Sequence, residues 1–194
     1  MLPRWLASIL GRHAPLDAPL GAEHATDIDR SMMARALELA RQAAAMDEVP
    51  VGAVVYHADT GDIIAQAHNR REVDADPAGH AELIAIKLAA KAIGDWRLNH
   101  LALAVTLEPC AMCAGAIVNA RVGRVVFGAR DPKAGFCASL GHLTSDPRLN
   151  HRVQPVEGVL AAESSRLLRD FFRQRRGRTH ATPSPTPPSS PPAR

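Results

Sequence analysis

No apolar run in this chain of 194 residues approaches the roughly 20 residues needed to span a bilayer. The opening segment from Met1 to Leu10 is too short for a secretory core, and Arg4 interrupts it. Cysteine is scarce: three is a small and odd number, which argues against a disulfide framework. Two of the three fall in Cys110-Ala111-Met112-Cys113, a spacing that suggests metal or redox chemistry in a reducing compartment. With only four Phe, two Trp and one Tyr, extended stacking along a nucleic acid strand is not expected. The formal charge of +3 is too small to demand a polyanionic partner but permits one. These absences leave an ordinary soluble protein of the cytoplasm, with no membrane partner, as the expectation.

What is present is one domain between two irregular ends. Residues 1–28 carry Pro3, Pro15, Pro19, Gly11 and Gly21 with little periodicity and read as a loose leader. Residues 178–194 run into a Pro/Ser-rich stretch from Thr182 to Pro192 that cannot bury apolar surface, so a disordered tail is expected. Between them, over residues 29–177, helical and strand patterns alternate without an internal repeat. Met33, Ala36, Leu37, Ala40 and Ala44 predict a helix from about Asp29 to Met46. Val51–Tyr56 and Ile63–Ala67 read as strands joined through Asp59-Thr60-Gly61. A polar loop over 69–79 leads to a helix from His80 to Gly94. Leu101–Leu107 is a continuous apolar strand, as expected in a sheet covered on both faces. A short helix at Ala111–Ala120, a strand at Arg124–Gly128, a further strand near Val153–Val156 and a closing helix from Ala161 to Arg176 follow. The pattern is a mixed sheet flanked by helices.

The chemistry is carried by His80-Ala81-Glu82 and, further along, Pro109-Cys110-Ala111-Met112-Cys113. Alone, Cys-x-x-Cys fits a redox pair or half of a structural zinc knuckle equally well. Two cysteines three apart at a helix start lie one turn from each other, so both sulfurs reach one ion, with His80 as a third ligand. No fourth Cys or His stands at convincing spacing, which favours a catalytic site with a position kept for water over a closed structural one. Glu82 lies about 200° around an ideal helix from His80. The two converge on one point only if the helix aims its N-terminus at the metal, where the helix dipole also favours thiolates. Glu82 then becomes the candidate proton shuttle. Cys137 reads as a partly buried thiol rather than a ligand, and His57, His68, His100, His142 and His151 as surface or packing residues.

His-x-Glu with Pro-Cys-x-x-Cys is the known signature of zinc-dependent nucleobase deaminases. Its surroundings narrow the resemblance. Val49-Pro50-Val51-Gly52-Ala53-Val54, His68-Asn69-Arg70, the segment from Thr106 to Ile117, that from Arg121 to Asp131, Asn150-His151-Arg152-Val153 and Asp170-Phe171-Phe172-Arg173 resemble the bacterial tRNA-specific adenosine deaminases over roughly residues 30–177. The resemblance implies an α/β fold, a three-layer α/β/α sandwich of the cytidine-deaminase-like kind, whose mixed central sheet has about five strands. It implies a homodimer with one zinc ion per subunit that converts wobble adenosine to inosine in the anticodon loop of a tRNA, typically an arginine tRNA. By position it makes Asn69 a hydrogen-bond partner of the base. The backbone N–H of Ala81 becomes a second contact, and Val49 and Pro50 become pocket walls. Asp131 and Lys133 fall in a loop meeting the flanking nucleotides, and Asn150 matches another RNA-contacting position. Arg175 belongs to a basic helix end, with Arg173, Arg176 and Arg178, suited to phosphates.

Bland alternatives stand beside these readings: a turn asparagine at 69, a solvated loop at 131–133, and arginines that merely offset a helix dipole. Two functional rivals share the motif. A deaminase of a free base or nucleotide (guanine, cytidine or dCMP) would carry the same metal site. A non-catalytic, zinc-stabilised RNA-binding module would need a fourth protein ligand and would have no use for Glu82.

Overall fold

The computed structural model describes residues 18–181. Its first helix, α1 (Asp27–Ala45), begins two residues before the expected start because the cap is Thr26. The Thr26 hydroxyl accepts from the Asp29 N–H at 3.0 Å, and the Asp29 carboxylate accepts from the Thr26 N–H at 2.7 Å. This reciprocal box satisfies two donors that a helix N-terminus leaves without partners. Asp29 also receives Tyr56 Oη at 2.5 Å and the Arg124 guanidinium at 2.6 Å, which ties the helix start to two strands.

Four strands make the sheet: β1 (Gly52–His57), β2 (Ile63–His68), β3 (Leu101–Leu107) and β4 (Arg124–Ala129), in the order β2-β1-β3-β4. β1 pairs antiparallel with both β2 and β3, whereas β3 and β4 are parallel and are connected through a helix. The two-residue alternation of strand side chains divides the core cleanly. Ala53, Val55, Leu103, Val105, Val125 and Phe127 face one side, with α2 (Ala81–Ile93) and α3 (Ala111–Asn119) packed near them. Val54, Tyr56, Ala102, Ala104 and Val126 face the other, against Met33, Ala36 and Leu39 of α1. The chain is thus an α/β protein with helices on both faces. β3 is buried on both sides, which is why its sequence has no polar alternation. At Gly52 an added Cβ would sit on the Ala36 carbonyl oxygen, so the close approach of α1 to β1 requires glycine there.

The fifth strand expected near Val153–Val156 does not form, and among the described residues the sheet has four strands rather than about five. Only Val156 bridges, in parallel, to Val126 and to Leu20. Pro155 has no N–H to extend a ladder, and its carbonyl instead accepts from Leu20 at 2.8 Å. Leu20, Ala22 and Ala25 also pack against the core under α1. The closing helix α4 (Ala161–Ala181) lies against β4 and passes the expected end at Arg176, with Gly177 inside it. The Pro/Ser-rich stretch from Thr182 and the first 17 residues lie outside the described residues. No helix among the described residues is long and apolar enough to cross a membrane.

Candidate active site

Two helix N-termini meet at the C-terminal edge of β3. His80 is the N-cap of α2 and Cys110 the N-cap of α3, both in extended backbone conformation just ahead of the first turn. Pro109 precedes the second cap and is buried, as suits a residue that stiffens a strand-to-helix junction. Glu82 and Cys113 occupy the first turns of their helices and are buried, at 4% and 0% exposure.

His80 Nδ1 stands 3.7 Å from Cys110 Sγ and 3.6 Å from Cys113 Sγ, and all three donor atoms lie within 4.8 Å of one another. Bonds of about 2.0–2.3 Å to zinc bring such ligands to separations of this size, and two sulfurs with one imidazole suit zinc chemically. The group can therefore hold one metal ion, and among the described residues it gains no fourth His, Cys, Asp or Glu. Cys137 is buried apart from it, its N–H donating to Glu108.

The protonation states are set by the crowding of these groups. The Cys113 thiol, donating to Cys110, holds the Cys110 sulfur down at about 4, against the opposing effect of burial and with further help from His80. Cys113 is pushed up, first by that same hydrogen bond and then by burial. His80 is raised by its contact with Cys110. Burial raises the Glu82 carboxyl from its ordinary value.

These groups open onto a cavity of about 230 Å³ whose lining includes Val49, Asn69, His80, Glu82, Cys110 and Asp131. Pockets for drug-sized ligands occupy about 300–1,000 Å³, so this one suits a single small ring system. Ala81 is buried at the first position of α2, where a helix leaves N–H groups without intrahelical partners. Pro50 is buried and is not part of the wall. Lys133 is exposed outside the cavity and lines a separate groove with Phe172, Arg173 and Arg176 of α4. Arg175 turns away from that groove, its guanidinium 5.7 Å from the Phe171 ring centroid. Asn150 is exposed and lines neither.

Two buried acidic residues of the lining, Glu48 and Glu108, carry no role in the sequence analysis. Glu108 is 2% exposed and accepts from the backbone N–H groups of Asp131, Cys137, Ala138 and Ser139 and from the Ser139 hydroxyl. It thereby folds the whole 131–139 loop around one carboxylate. Glu48 is fully buried and accepts from Asn69 Nδ2 at 3.0 Å and the Val73 N–H at 2.7 Å. The available signal was an acidic residue near the end of an apolar strand: Glu48 shortly before β1, and Glu108 directly after β3.

Residues 27–176 match the MafB19-like deaminase family. The fold and the site thus define a hydrolytic deaminase of the cytidine-deaminase-like architecture. The chain is 47% identical over 151 residues to the tRNA-specific adenosine deaminase of Haemophilus influenzae, covering 78% of this chain and 87% of that one. It is 46% identical over 153 residues to the Bacillus subtilis protein of the same name, covering 79% and 94%. A structure from work on A-to-I editing by tRNA:A34 deaminases at the wobble position superposes with a TM-score of 0.67 at 41% identity, over 71% of this chain and 99% of the other. The chain belongs to the bacterial tRNA-specific adenosine deaminase family.

Proposed function

We propose that this chain hydrolyses adenosine to inosine, releasing ammonia, at the wobble position of a tRNA anticodon loop, most naturally that of an arginine tRNA. The observation that carries the reading is the buried Glu82 carboxyl beside the His80, Cys110 and Cys113 donors, inside a cavity sized for one base. His80, Cys110 and Cys113 would hold one zinc ion per subunit, which would supply the Lewis acidity that lowers the pKa of a water toward about 7.

The remaining work belongs to the chain. Glu82 takes a proton from the attacking water and delivers it first to the adenine ring and then to the departing amine at C6. Its raised pKa suits both halves of that transfer. Asn69 and the Ala81 N–H hold the base while Val49 packs on its face. Asp131 meets the flanking nucleotides, with Lys133, Asn150 and Arg175 further out. Lys133 shares its groove with Arg173 and Arg176, a cluster of positive charge that supports a phosphate contact there. An unpaired loop base is splayed into such a pocket at a cost of a few kcal/mol or less. We further infer a cytoplasmic homodimer, as in the family; Met112 and Leu140, 42% and 54% exposed, are apolar side chains for a second copy to cover.

The test is incubation with an anticodon stem-loop bearing wobble adenosine, alongside free guanine, cytidine and dCMP. Inosine in the stem-loop is expected; turnover of the free compounds alone would replace this reading with that of a free-base deaminase. A Glu82→Ala variant is expected to keep its metal and fold while losing about 10²- to 10⁴-fold in rate. Retained activity in that variant would remove the proton-shuttle role.

A further inference from the structure

Asn69 lines the cavity, yet only one end of its carboxamide is held. Nδ2 donates to Glu48 Oε2 at 3.0 Å, while no group among the described residues donates to Oδ1. The other Glu48 oxygen, Oε1, is already engaged by the Val73 N–H at 2.7 Å. A carboxylate offers acceptors only, so the amide cannot turn its own oxygen toward Glu48 without setting two acceptors against each other in a buried place. Glu48 sits where the chain leaves α1: Asp47 adopts a left-handed φ of 60°, and the Glu48 N–H bonds back to Ala43. Backbone hydrogen bonds fix the partner too, since the Asn69 N–H donates to Val51. Neither side chain is free to rearrange.

We propose that Glu48 is a positioning residue that sets the polarity of the Asn69 amide, so that position 69 offers the nucleotide a hydrogen-bond acceptor, Oδ1. This rests on the reading that the cavity receives the target nucleoside. The ring nitrogens of adenine flanking C6 and at N7 are acceptors and a ribose hydroxyl pairs with either end of an amide, so the group on adenosine that requires an acceptor at position 69 is the 6-amino group. A base that presents only an acceptor at that point meets two opposed oxygens and is rejected.

The Glu48→Gln variant tests this because it reverses the polarity without emptying the site. The substituted carboxamide must turn its single oxygen to the Val73 N–H, which leaves its NH₂ facing Asn69. Asn69 then satisfies it with Oδ1 and aims Nδ2 at the cavity. The expected result is a folded protein with unchanged metal content whose kcat/KM on the stem-loop falls about 10- to 100-fold. Adding Asn69→Asp to this variant restores an outward acceptor and should recover most of the loss, whereas Asn69→Asp alone opposes two carboxylates and should be worse than the double variant. A 2′-deoxyadenosine at the target should affect wild type and Glu48→Gln alike, because a ribose hydroxyl can donate to Oδ1 or accept from Nδ2 and so does not sense the polarity of the amide.

Hydrogen exchange of the Asn69 side-chain amide supplies a readout independent of substrate. It should be slow in wild type and at least about tenfold faster in Glu48→Gln, where the NH₂ faces the open cavity. The proposal is overturned by a Glu48→Gln protein that fails to fold, that keeps wild-type kcat/KM, or whose Asn69 amide stays equally protected. A double variant no better than Glu48→Gln would overturn it as well. Should wild type make no inosine while Glu48→Gln still exposes the Asn69 amide, the substrate assignment falls and the role of Glu48 stands.

Discussion

Ser139 binds Glu108 twice: its hydroxyl donates to one carboxylate oxygen at 2.5 Å and its backbone N–H to the other at 2.8 Å. With the N–H groups of Asp131, Cys137 and Ala138 on the same carboxylate, this pair closes a loop that forms one side of the cavity. Gly135 passes so near that an added Cβ would overlap the carboxylate.

Replacing Glu108 with Gln should therefore damage the loop before it damages the metal group. An NH₂ in place of one oxygen faces backbone donors, and we expect a loss of about 2–4 kcal/mol in unfolding free energy, read by urea denaturation. KM for the stem-loop should rise more than kcat falls, because the altered wall carries Asp131. Gly135→Ala should move KM in the same direction.

Acid should unfold the protein partly through Asp29 and Glu108. Burial acts to raise Asp29, but the hydrogen bonds from Arg124, Tyr56 and Thr26 outweigh it and hold its carboxyl below the ordinary value. Glu108 is likewise lowered overall, burial being overcome by Ser139 and the loop N–H groups. Groups with depressed folded-state pKa values stabilise the fold fully above their unfolded values of about 3.9 and 4.3. That stability is lost as pH falls from there through the lowered folded values. Denaturation curves collected from pH 7 to pH 3 should show this limb, and Asp29→Asn should flatten it while lowering stability at neutral pH.

Cys113→Ser should abolish stable metal binding, since a neutral hydroxyl is a poor substitute for a thiolate. Changes to groups merely supporting a ligand cost about 10- to 100-fold in affinity, so losing a direct ligand should cost more. Elemental analysis after dialysis against a chelator gives the measurement, with one zinc per chain expected in wild type and near none in the variant.

The groove of Lys133, Arg173 and Arg176 predicts a salt effect. If Lys133 and Arg173 each neutralise a phosphate, replacing either with Ala should reduce the slope of log affinity against log salt by about 0.7, the value for single strands. Affinity of the stem-loop measured from 50 to 200 mM salt would show it, and an unchanged slope would place the phosphates elsewhere. The same change at Asn150, which lies outside the groove, should leave the slope as it is.

The elements nearest the metal group were the most legible in sequence because the signals there are local. A helix start is encoded within a few residues, and His80, Glu82, Cys110 and Cys113 all sit at or just inside one. The apolar run of β3 declared its own double burial. The weakest reading was the strand at Val153–Val156, where apolar alternation outweighed a proline whose missing N–H limits pairing to the two bridges of Val156. The end of α4 was misplaced because Gly177 reads as a stop signal, yet the helix runs through it to Ala181.

By itself, the sequence determined the alternation of helices and strands, the three metal-binding candidates and the carboxyl beside them, since each depends on spacing along a few residues of chain. The tertiary structure decided what no spacing could: that Glu48 and Glu108, 60 residues apart, are buried on the same cavity, and that each spends its oxygens on backbone and amide donors from other segments. An acidic residue carries no mark of its future partners in one dimension. Its role is set only when folding removes it from water and leaves it the hydrogen bonds that happen to surround it.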